Sequence, residues 1–189
     1  MFSQLKNRFV CAMALATGLL LVGCKEDPLS LPIFHEISSP TPYDLTAVWF
    51  ADSLCGYLTA GAAWTRGELW STIDGGVHWQ LDTAVGSRLE GVVFDADGNG
   101  YACGQDGLLL LRYAGTAHWY PVRYDYVWHR SCAFRNLGQG LIVSGEGFQG
   151  GGIRKLGPDA PWSLDTTLLF PNALSSLCYS DSQTVHAVG

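Results

Sequence analysis

The chain repeats itself with a period of about 40 to 45 residues, and this period limits the folds open to it. The first apolar stretch of each repeat ends in an aromatic residue, at Phe50, Phe94, Phe134 and Tyr179. The second ends in a glycine, at Gly61, Gly104, Gly145 and Gly189. About four short strands fit into each period, and such small sheets bury their apolar faces only by stacking on one another. The sequence therefore predicts an all-β fold, a β-propeller of four-stranded blades.

The repeats begin at about residue 45 and continue to the last residue of the sequence. We expect blades at about residues 45–83, 89–123 and 129–166, and a partial blade at 174–189. About three and a half blades lie below the usual minimum of four. Either the sequence is a fragment of a longer propeller, which we favour and which makes the propeller here incomplete, or the segment before residue 45 supplies strands to an unusual closure.

A turn motif lies near the end of the first repeat, in the sequence TIDGGVHW. It fits the pattern S/T-x-D-x-G-x-x-W through Thr72, Asp74, Gly76 and Trp79. A carboxylate there accepts hydrogen bonds from turn amides, and the glycines permit a positive φ. We therefore expect a structural role for this turn.

The motif resembles the Asp-box of sialidase-type (BNR) propellers and of photosystem II assembly factor-like propellers. The resemblance implies a β-propeller with duties in protein interaction and without a part in photosynthesis. The later repeats lack the Asp-Gly-Gly turn and keep only the tryptophan, as Trp119 and Trp162. We expect these tryptophans and Trp79 to pack between blades.

The first 23 residues are predicted to be a signal peptide. Lys6 and Arg8 precede an apolar run that is short for a membrane span. The run ends in Leu-Val-Gly-Cys, which resembles the lipobox of bacterial lipoproteins. That resemblance implies cleavage before Cys24 and lipidation of its thiol. Residues 24–44, rich in proline and serine, are then a tether between the lipid anchor and the propeller.

The residues after Cys24 bear on the location of the protein. Lys25 stands where aspartate would retain an enterobacterial lipoprotein in the inner membrane. Lys25, Glu26 and Asp27 resemble a surface-export signal of lipoproteins in the Bacteroidota, although a merely polar linker explains them equally well. We expect a lipid-anchored protein of the bacterial cell envelope, in the outer membrane and with the cell surface as an open alternative.

The charge balance argues against nucleic acid as a partner. The sequence has 11 basic and 17 acidic residues, and Lys6 and Arg8 lie in the leader, so 9 basic and 17 acidic residues remain. A net charge of −8 (9 minus 17) does not suit phosphate binding, which needs basic patches.

Cysteines and one acidic loop raise the question of cross-links and metals. Four cysteines follow Cys24 with no CxxC pair, and buried thiols are favoured over disulfides. They are Cys55, Cys103, Cys132 and Cys178. Asp95, Asp97 and Asn99 resemble the start of a calcium loop, but a strand follows where a helix would be expected. A plain turn explains them better, so we expect no metal and no cofactor.

One aromatic and polar cluster is the candidate ligand site. It falls between the second and third predicted blades and contains Tyr124, Tyr126, Trp128 and Arg130. Tyrosine, tryptophan and arginine dominate binding hot spots. The alternative is that these aromatic rings simply pack between blades.

No catalytic residues are predicted. The F/Y-R-I-P motif of sialidases is absent from the sequence, and so is a G-x-S-x-G elbow. We therefore expect a membrane-anchored, non-catalytic binding or scaffold module with a protein or glycan partner. The alternative is a glycan-acting, sialidase-like enzyme or a lectin-like module whose site lies in further C-terminal blades. An arginine triad and a Tyr–Glu pair would identify the enzyme.

Overall fold

The computed structural model describes residues 36–123, 126–137, 139–145, 150–156 and 164–189. All regular secondary structure in these ranges is β-strand. No helix in them is long and apolar enough to cross a bilayer. The predicted signal peptide, Cys24 and most of the tether lie outside the described residues, as do Tyr124 and Trp162.

Two four-stranded antiparallel sheets form the first half of the fold, each with its strands in sequence order. In blade 1, β1 to β4 span Asp44–Phe50, Gly56–Ala62, Arg66–Thr72 and Gln80–Val85. In blade 2, β5 to β8 span Leu89–Phe94, Gly100–Gly104, Leu108–Arg112 and Tyr120–Arg123.

A third four-stranded sheet and a two-stranded sheet complete the described part. In blade 3, β9 to β12 span His129–Asn136, Gln139–Gly145, Gly151–Leu156 and Leu164–Phe170. The last sheet pairs β13, Ser176–Tyr179, with β14, Val185–Val188. All pairings are between neighbours in sequence, because short turns connect antiparallel strands directly.

The core lies between the sheets, as stacking requires. Strand β6 is buried along its whole length, and β7 is buried at all but its last residue. One apolar cluster joins blades 1 and 2, with Leu69, Leu89 and Leu110 fully or almost fully buried. A second cluster joins blades 2 and 3 around Tyr101 and Phe134. Each blade therefore buries its apolar faces against its neighbours.

Aromatic pairs recur at the ends of these interfaces. The ring centroids of Tyr57 and Phe94 lie 4.4 Å apart between blades 1 and 2. The rings of Tyr101 and Phe134 are stacked with centroids 3.5 Å apart between blades 2 and 3. Trp119 meets both Tyr57 and Phe94 edge-on. The predicted packing of a tryptophan between blades is thus observed for Trp119.

The all-β fold of four-stranded antiparallel sheets is as the repeat predicts. The predicted ends of β5 and β6 coincide with those observed. Two blade bounds differ from the prediction, because β4 continues to Val85 and β12 continues to Phe170. Both are the last strands of their blades, whereas the recurrent aromatic and glycine mark the ends of the first and second strands.

Candidate functional site

Because neighbouring strands are antiparallel, the turns of each blade alternate between two edges of its sheet. The β2–β3 and β6–β7 turns lie at the edge that also holds the connections into β5 and β9. We call this edge the upper face. Five side chains from these segments lie there and form the upper-face cluster, which we define as Trp64, Arg88, Glu90, Trp128 and Arg130. Blade 1 contributes Trp64, blade 2 contributes Arg88 and Glu90, and the connection into blade 3 together with β9 contributes the others.

Trp128 and Arg130 form the centre of the upper-face cluster. The guanidinium carbon of Arg130 lies 3.5 Å from the ring centroid of Trp128, a close cation–π contact. The Nε of Arg130 also donates to the carbonyl oxygen of Gly145 at 3.2 Å. Both side chains are half-buried, so the stacked pair keeps one part open to solvent. Partial burial strengthens the cation–π contact. The hydrogen bond to Gly145 orients the guanidinium.

Glu90 connects this pair to blade 2. Its Oε1 accepts a hydrogen bond from the indole Nε1 of Trp128 at 3.1 Å and lies 3.2 Å from the Nε of Arg88. Arg88 also lies 3.6 Å from the carboxylate of Asp44 in blade 1. Burial raises the pKa of Glu90 despite the opposing charges of Arg88 and Arg130. The carboxylate thus ties blades 2 and 3 together at this edge.

Trp64 is held in an unusual backbone conformation at the β2–β3 turn. Its φ is 62°, and its side chain is 55% exposed. Its ring meets Trp128 edge-on with centroids 6.0 Å apart, and its backbone N–H donates to the Oε1 of Gln105 at 2.8 Å. A left-handed conformation costs a bulky residue about 1–3 kcal/mol, and such strain concentrates at functional sites. An exposed, strained tryptophan therefore marks this edge as a candidate binding surface.

An open cleft adjoins the upper-face cluster. It has a volume of about 360 Å³ and is lined by Tyr126, Ser144, Arg154 and Leu169, among others. Tyr126 is 81% exposed and Leu169 is 80% exposed. Partial burial lowers the pKa of Arg154. An apolar rim with a cationic group inside suits a ligand that has both apolar and acidic or hydrogen-bonding parts.

The structure brings together part of the predicted ligand cluster and adds to it. Trp128 and Arg130 are in contact, whereas Tyr126 lies at the neighbouring cleft and Tyr124 is outside the described residues. Sequence reasoning missed Trp64, Arg88 and Glu90. A tryptophan in a predicted turn was the available signal for Trp64. Nothing in the local sequence marked the other two, because single charged residues at the start of a strand are ordinary.

The turn that resembles an Asp-box lies at the opposite edge of blade 1, between β3 and β4. Thr72 Oγ1 donates to Asp74 Oδ1 at 2.8 Å and accepts from the backbone N–H of Gly76 at 3.0 Å. Asp74 Oδ1 also accepts from the backbone N–H of His78 at 2.9 Å. These hydrogen bonds lower the pKa of Asp74 to about 2, with that from the His78 backbone contributing most. All these bonds are internal to the turn.

Trp79 follows this turn and packs within its own blade. Its ring lies edge-on to Phe50 with centroids 6.2 Å apart and covers Gly76, whose φ is 88°. Inter-blade packing is therefore observed for Trp119 and stays a prediction for Trp79, whose ring meets Phe50 of its own blade. The difference is that Trp119 reaches back to Tyr57 and Asp82 of the preceding blade.

The loop that resembles a calcium site is closed by protein hydrogen bonds. Asp95 Oδ1 accepts from the backbone N–H groups of Asp97 and Asn99, at 3.0 and 2.9 Å. Asp95 Oδ2 accepts from Asn99 Nδ2 at 3.0 Å and from the hydroxyl of Tyr101 at 2.9 Å. Both oxygens that would bind a cation therefore hold the turn and the core. Within the described ranges, no group of three or more acidic, histidine or cysteine side chains is arranged to hold a metal.

A second groove, of about 280 Å³, lies between blade 3 and the two-stranded sheet. It is lined by Arg135, Leu141, Lys155 and Tyr179, among others. Leu141 and Tyr179 occupy the repeat positions of Tyr57 and Phe94, between which Trp119 packs in blades 1 and 2. The groove thus corresponds to the slot of an inter-blade tryptophan. Its shape follows from the repeat, which makes it a poor candidate for a small-molecule site.

The four cysteines in the described residues are thiols in this structure. Cys103 and Cys132 are buried, Cys55 is half-buried and Cys178 is exposed. The prediction of buried thiols is therefore wrong for Cys178. On β13 the side chain of Leu177 faces the core, and the alternation of a strand turns that of Cys178 away from it.

The fold and the position of the cluster define a β-propeller with a candidate binding surface at one edge of its blades. Solved structures support the fold. YCF48 from Cyanidioschyzon merolae has a TM-score of 0.54 and 16% identity, and the match covers 80% of this chain and 52% of that one. The computationally designed Ika4 protein has a TM-score of 0.51 and 17% identity, with 83% and 100% covered.

This chain spans about half the length of the YCF48 structure. At these identities the similarity concerns the fold alone, and it confirms the predicted β-propeller class. No protein-family model and no curated protein matches the sequence.

Proposed function

We propose that this chain is a non-catalytic binding module that holds a segment of a protein partner on the upper-face cluster. The observation that carries the proposal is the meeting of Trp64 from blade 1 with the Trp128–Arg130 pair at the start of blade 3. An exposed aromatic ring beside a stacked guanidinium is the composition of a binding hot spot. The chain is similar in fold to YCF48, and its Asp-box-like motif resembles that of photosystem II assembly factor-like propellers. Both resemblances support a binding role over a catalytic one.

The strained backbone of Trp64 supports the same proposal. A partly exposed tryptophan gains little stability from its own burial, yet the turn holds it at a φ of 62°. Glycine adopts this conformation without strain. The ring of Trp64 meets Trp128 on one side, and its exposed part is free to contact a partner segment.

The proposed location rests on the sequence before the described residues. Cys24 in its lipobox-like context would carry a lipid anchor to the bacterial cell envelope, in the outer membrane. Two or three acyl chains bind a bilayer stably, since each buried CH₂ contributes about 0.8 kcal/mol. The proline-rich tether would then connect the lipid anchor to the propeller.

A position-specific photocrosslinking experiment tests the binding surface. A photoreactive phenylalanine analogue replaces Trp64, and in a matched control it replaces Ile73, which is 82% exposed at the opposite edge of blade 1. We expect one dominant protein adduct in intact cells from position 64 and none from position 73. The adduct should weaken at least tenfold when Arg130→Gln is added. Equal adducts from both positions would contradict the proposed surface.

Trp64→Gly separates binding from folding. The substitution removes the indole and relieves the strained φ, so the melting temperature should stay unchanged or rise. Binding of the partner identified by crosslinking should fall at least tenfold. A variant that binds as tightly as the parent chain would show that the tryptophan is merely a turn residue.

A glycan ligand is the second candidate, and one observation favours it. The rings of Trp64 and Tyr126 are exposed, and the cleft lined by Tyr126 also contains Arg154, which suits a sugar that stacks on an aromatic ring and accepts hydrogen bonds. A glycan array probed with the parent chain and with Trp64→Gly distinguishes the two. Array binding that depends on Trp64, without a protein adduct, would replace the protein partner by a glycan.

Cys24→Ser tests the anchor. Serine lacks the thiol that forms the thioether, so we expect no incorporation of radiolabelled fatty acid and loss of the chain from the membrane fraction. Deleting Lys25 to Asp27 tests surface export, which should be lost as judged by protease digestion of intact cells. Label retained in Cys24→Ser would contradict the anchor, and unchanged surface exposure would contradict the export signal.

A further inference from the structure

Two cysteines from neighbouring blades meet in the core between blades 2 and 3. Cys103 lies on β6 and is 0% exposed, and Cys132 lies on β9 and is 2% exposed. Both belong to one apolar cluster. These are the only two of the four described cysteines that are buried.

The strand geometry explains why the two sulfurs meet. Tyr101 and Cys103 are two residues apart on β6 and point to the same face, as do Cys132 and Phe134 on β9. The rings of Tyr101 and Phe134 are parallel, with centroids 3.5 Å apart. Two residues away from these rings on each strand, Cys103 faces Cys132, and we call such a pair of facing positions a rung. The close ring stack therefore holds the two strands at short range where the sulfurs lie.

A glycine makes room for the contact. Gly91 on β5 is the register partner of Cys103. A β-carbon at Gly91 would lie 3.4 Å from the sulfur of Cys103 and 3.8 Å from the Cα of Ser131 on β9. The missing side chain thus leaves the Cys103 sulfur facing blade 3.

Packing alone does not require cysteine at this rung. The equivalent positions between blades 1 and 2 hold Thr59 and Val92, and both are buried. Between blade 3 and the two-stranded sheet they hold Val143 and Leu177, which belong to one apolar cluster. Only the interface of blades 2 and 3 has a sulfur on each side. The equivalent positions at the other two interfaces therefore show which residues can replace the cysteine pair without loss of packing.

We propose that Cys103 and Cys132 are a disulfide site that joins blade 2 covalently to blade 3 when the chain folds under oxidising conditions. Each thiol loses a proton, and together they lose two electrons as the S–S bond forms. A disulfide oxidant, such as oxidised glutathione or a protein disulfide, accepts the two electrons and leaves as two thiols. The exchange passes through a mixed disulfide with the oxidant.

The bond forms before the blades close. In the folded chain no oxidant reaches two sulfurs that are almost fully buried. The neighbouring Cys132 thiol and burial also raise the pKa of the Cys103 thiol, which removes the reactive thiolate. The order of folding and oxidation therefore decides the redox state, and burial then protects whichever state was formed.

Refolding the full chain from denaturant tests the proposal. One sample refolds in a glutathione redox buffer, and a second refolds reduced and receives the same buffer afterwards. After non-reducing digestion with trypsin, the first should contain the peptide 89–112 linked to 131–135. The second should contain both peptides as free thiols. Linked peptides that involve Cys55 or Cys178 in place of this pair, or free thiols in the first sample, would overturn the proposal.

The double variant Cys103→Thr and Cys132→Val copies the rung between blades 1 and 2 and serves as the matched control. The cross-link would close a loop of about 30 residues, so the parent chain should melt roughly 5–10 °C higher after oxidative refolding than after reduced refolding. The double variant should melt at the same temperature in both cases. A redox-dependent shift of equal size in the variant would place the effect elsewhere and overturn the proposal.

Discussion

The ring of Phe94 lies directly over Gly100, its register partner across the β5–β6 pair. A β-carbon at Gly100 would sit 2.8 Å from two atoms of that ring and 2.7 Å from the indole of Trp119. Phe50 and Gly56 have the same arrangement in blade 1, as do Phe134 and Gly140 in blade 3. The recurrent aromatic and the glycine that follows it therefore form one packing unit in each blade.

Gly100→Ala should lower the free energy of unfolding by about 1–3 kcal/mol, because the added methyl group overlaps two rings in a closely packed core. Gly86→Ala is the matched control, since a β-carbon at Gly86 would meet no atom within 4 Å. Urea unfolding of both variants measures the difference. Equal stability of the two variants would show that Phe94 and Trp119 move aside without cost.

Asp74 should make the stability of blade 1 depend on acid. Its folded pKa of about 2 lies below the ordinary 3.8, so its contribution is fully present above pH 3.8. That contribution is lost as the pH falls from 3.8 towards 2. Asp74→Asn has no carboxylate and does not show this loss. The melting temperature of the parent chain should therefore approach that of Asp74→Asn as the pH falls across the same window. Melting curves that stay parallel from pH 5 to pH 2 would contradict the role of the carboxylate.

Glu90 should produce the opposite dependence. Burial raises its folded pKa above the ordinary 4.5, so the folded state binds the proton more tightly than the unfolded state does. The associated stability is present below pH 4.5 and is lost as the pH rises through the folded pKa. Glu90→Gln keeps an acceptor for Trp128 without a titrating group. The parent chain should therefore lose stability relative to the variant as the pH rises above 4.5, measured by urea unfolding.

Asp95→Ala should cost about 2–4 kcal/mol of unfolding free energy, because it leaves buried turn amides and the Tyr101 hydroxyl without their acceptor. Asp97→Ala, at an exposed position in the same turn, should change stability by less than about 0.5 kcal/mol. Calcium should leave the melting temperature of the parent chain unchanged. A rise on addition of calcium that disappears in Asp97→Ala would restore the metal interpretation of this loop.

The strands were predictable because their signals are local. The segment Leu89–Phe94 is apolar and closes on an aromatic residue, and Gly100–Gly104 lies between two glycines. The structure supplies the reason for both markers. The aromatic ring needs a glycine beneath it, and Gly104 comes so close to the Arg88 carbonyl that a side chain would overlap it. These markers recur at the first two strands of each repeat, and the predicted bounds were less accurate at the last strands of blades 1 and 3.

The candidate site was only half predictable. Trp128 and Arg130 are near neighbours in sequence, and their residue types alone suggested a hot spot. The hydrogen bond from Trp128 to Glu90 joins residues 38 positions apart. Trp64 meets Trp128 only because the turns of blades 1 and 2 and the connection into blade 3 converge at one edge. No local pattern encodes that convergence.

The sequence by itself determined the repeat, the strands and the turns, because alternation, glycine and aromatic placement act over a few residues. Only the tertiary structure decided which side chains meet across blades, such as Cys103 with Cys132 and Trp64 with Trp128. The physical reason is that stacking buries each sheet against its neighbour at a distance and angle set by many side chains together. A contact between blades is therefore a property of the packed array and not of any one repeat.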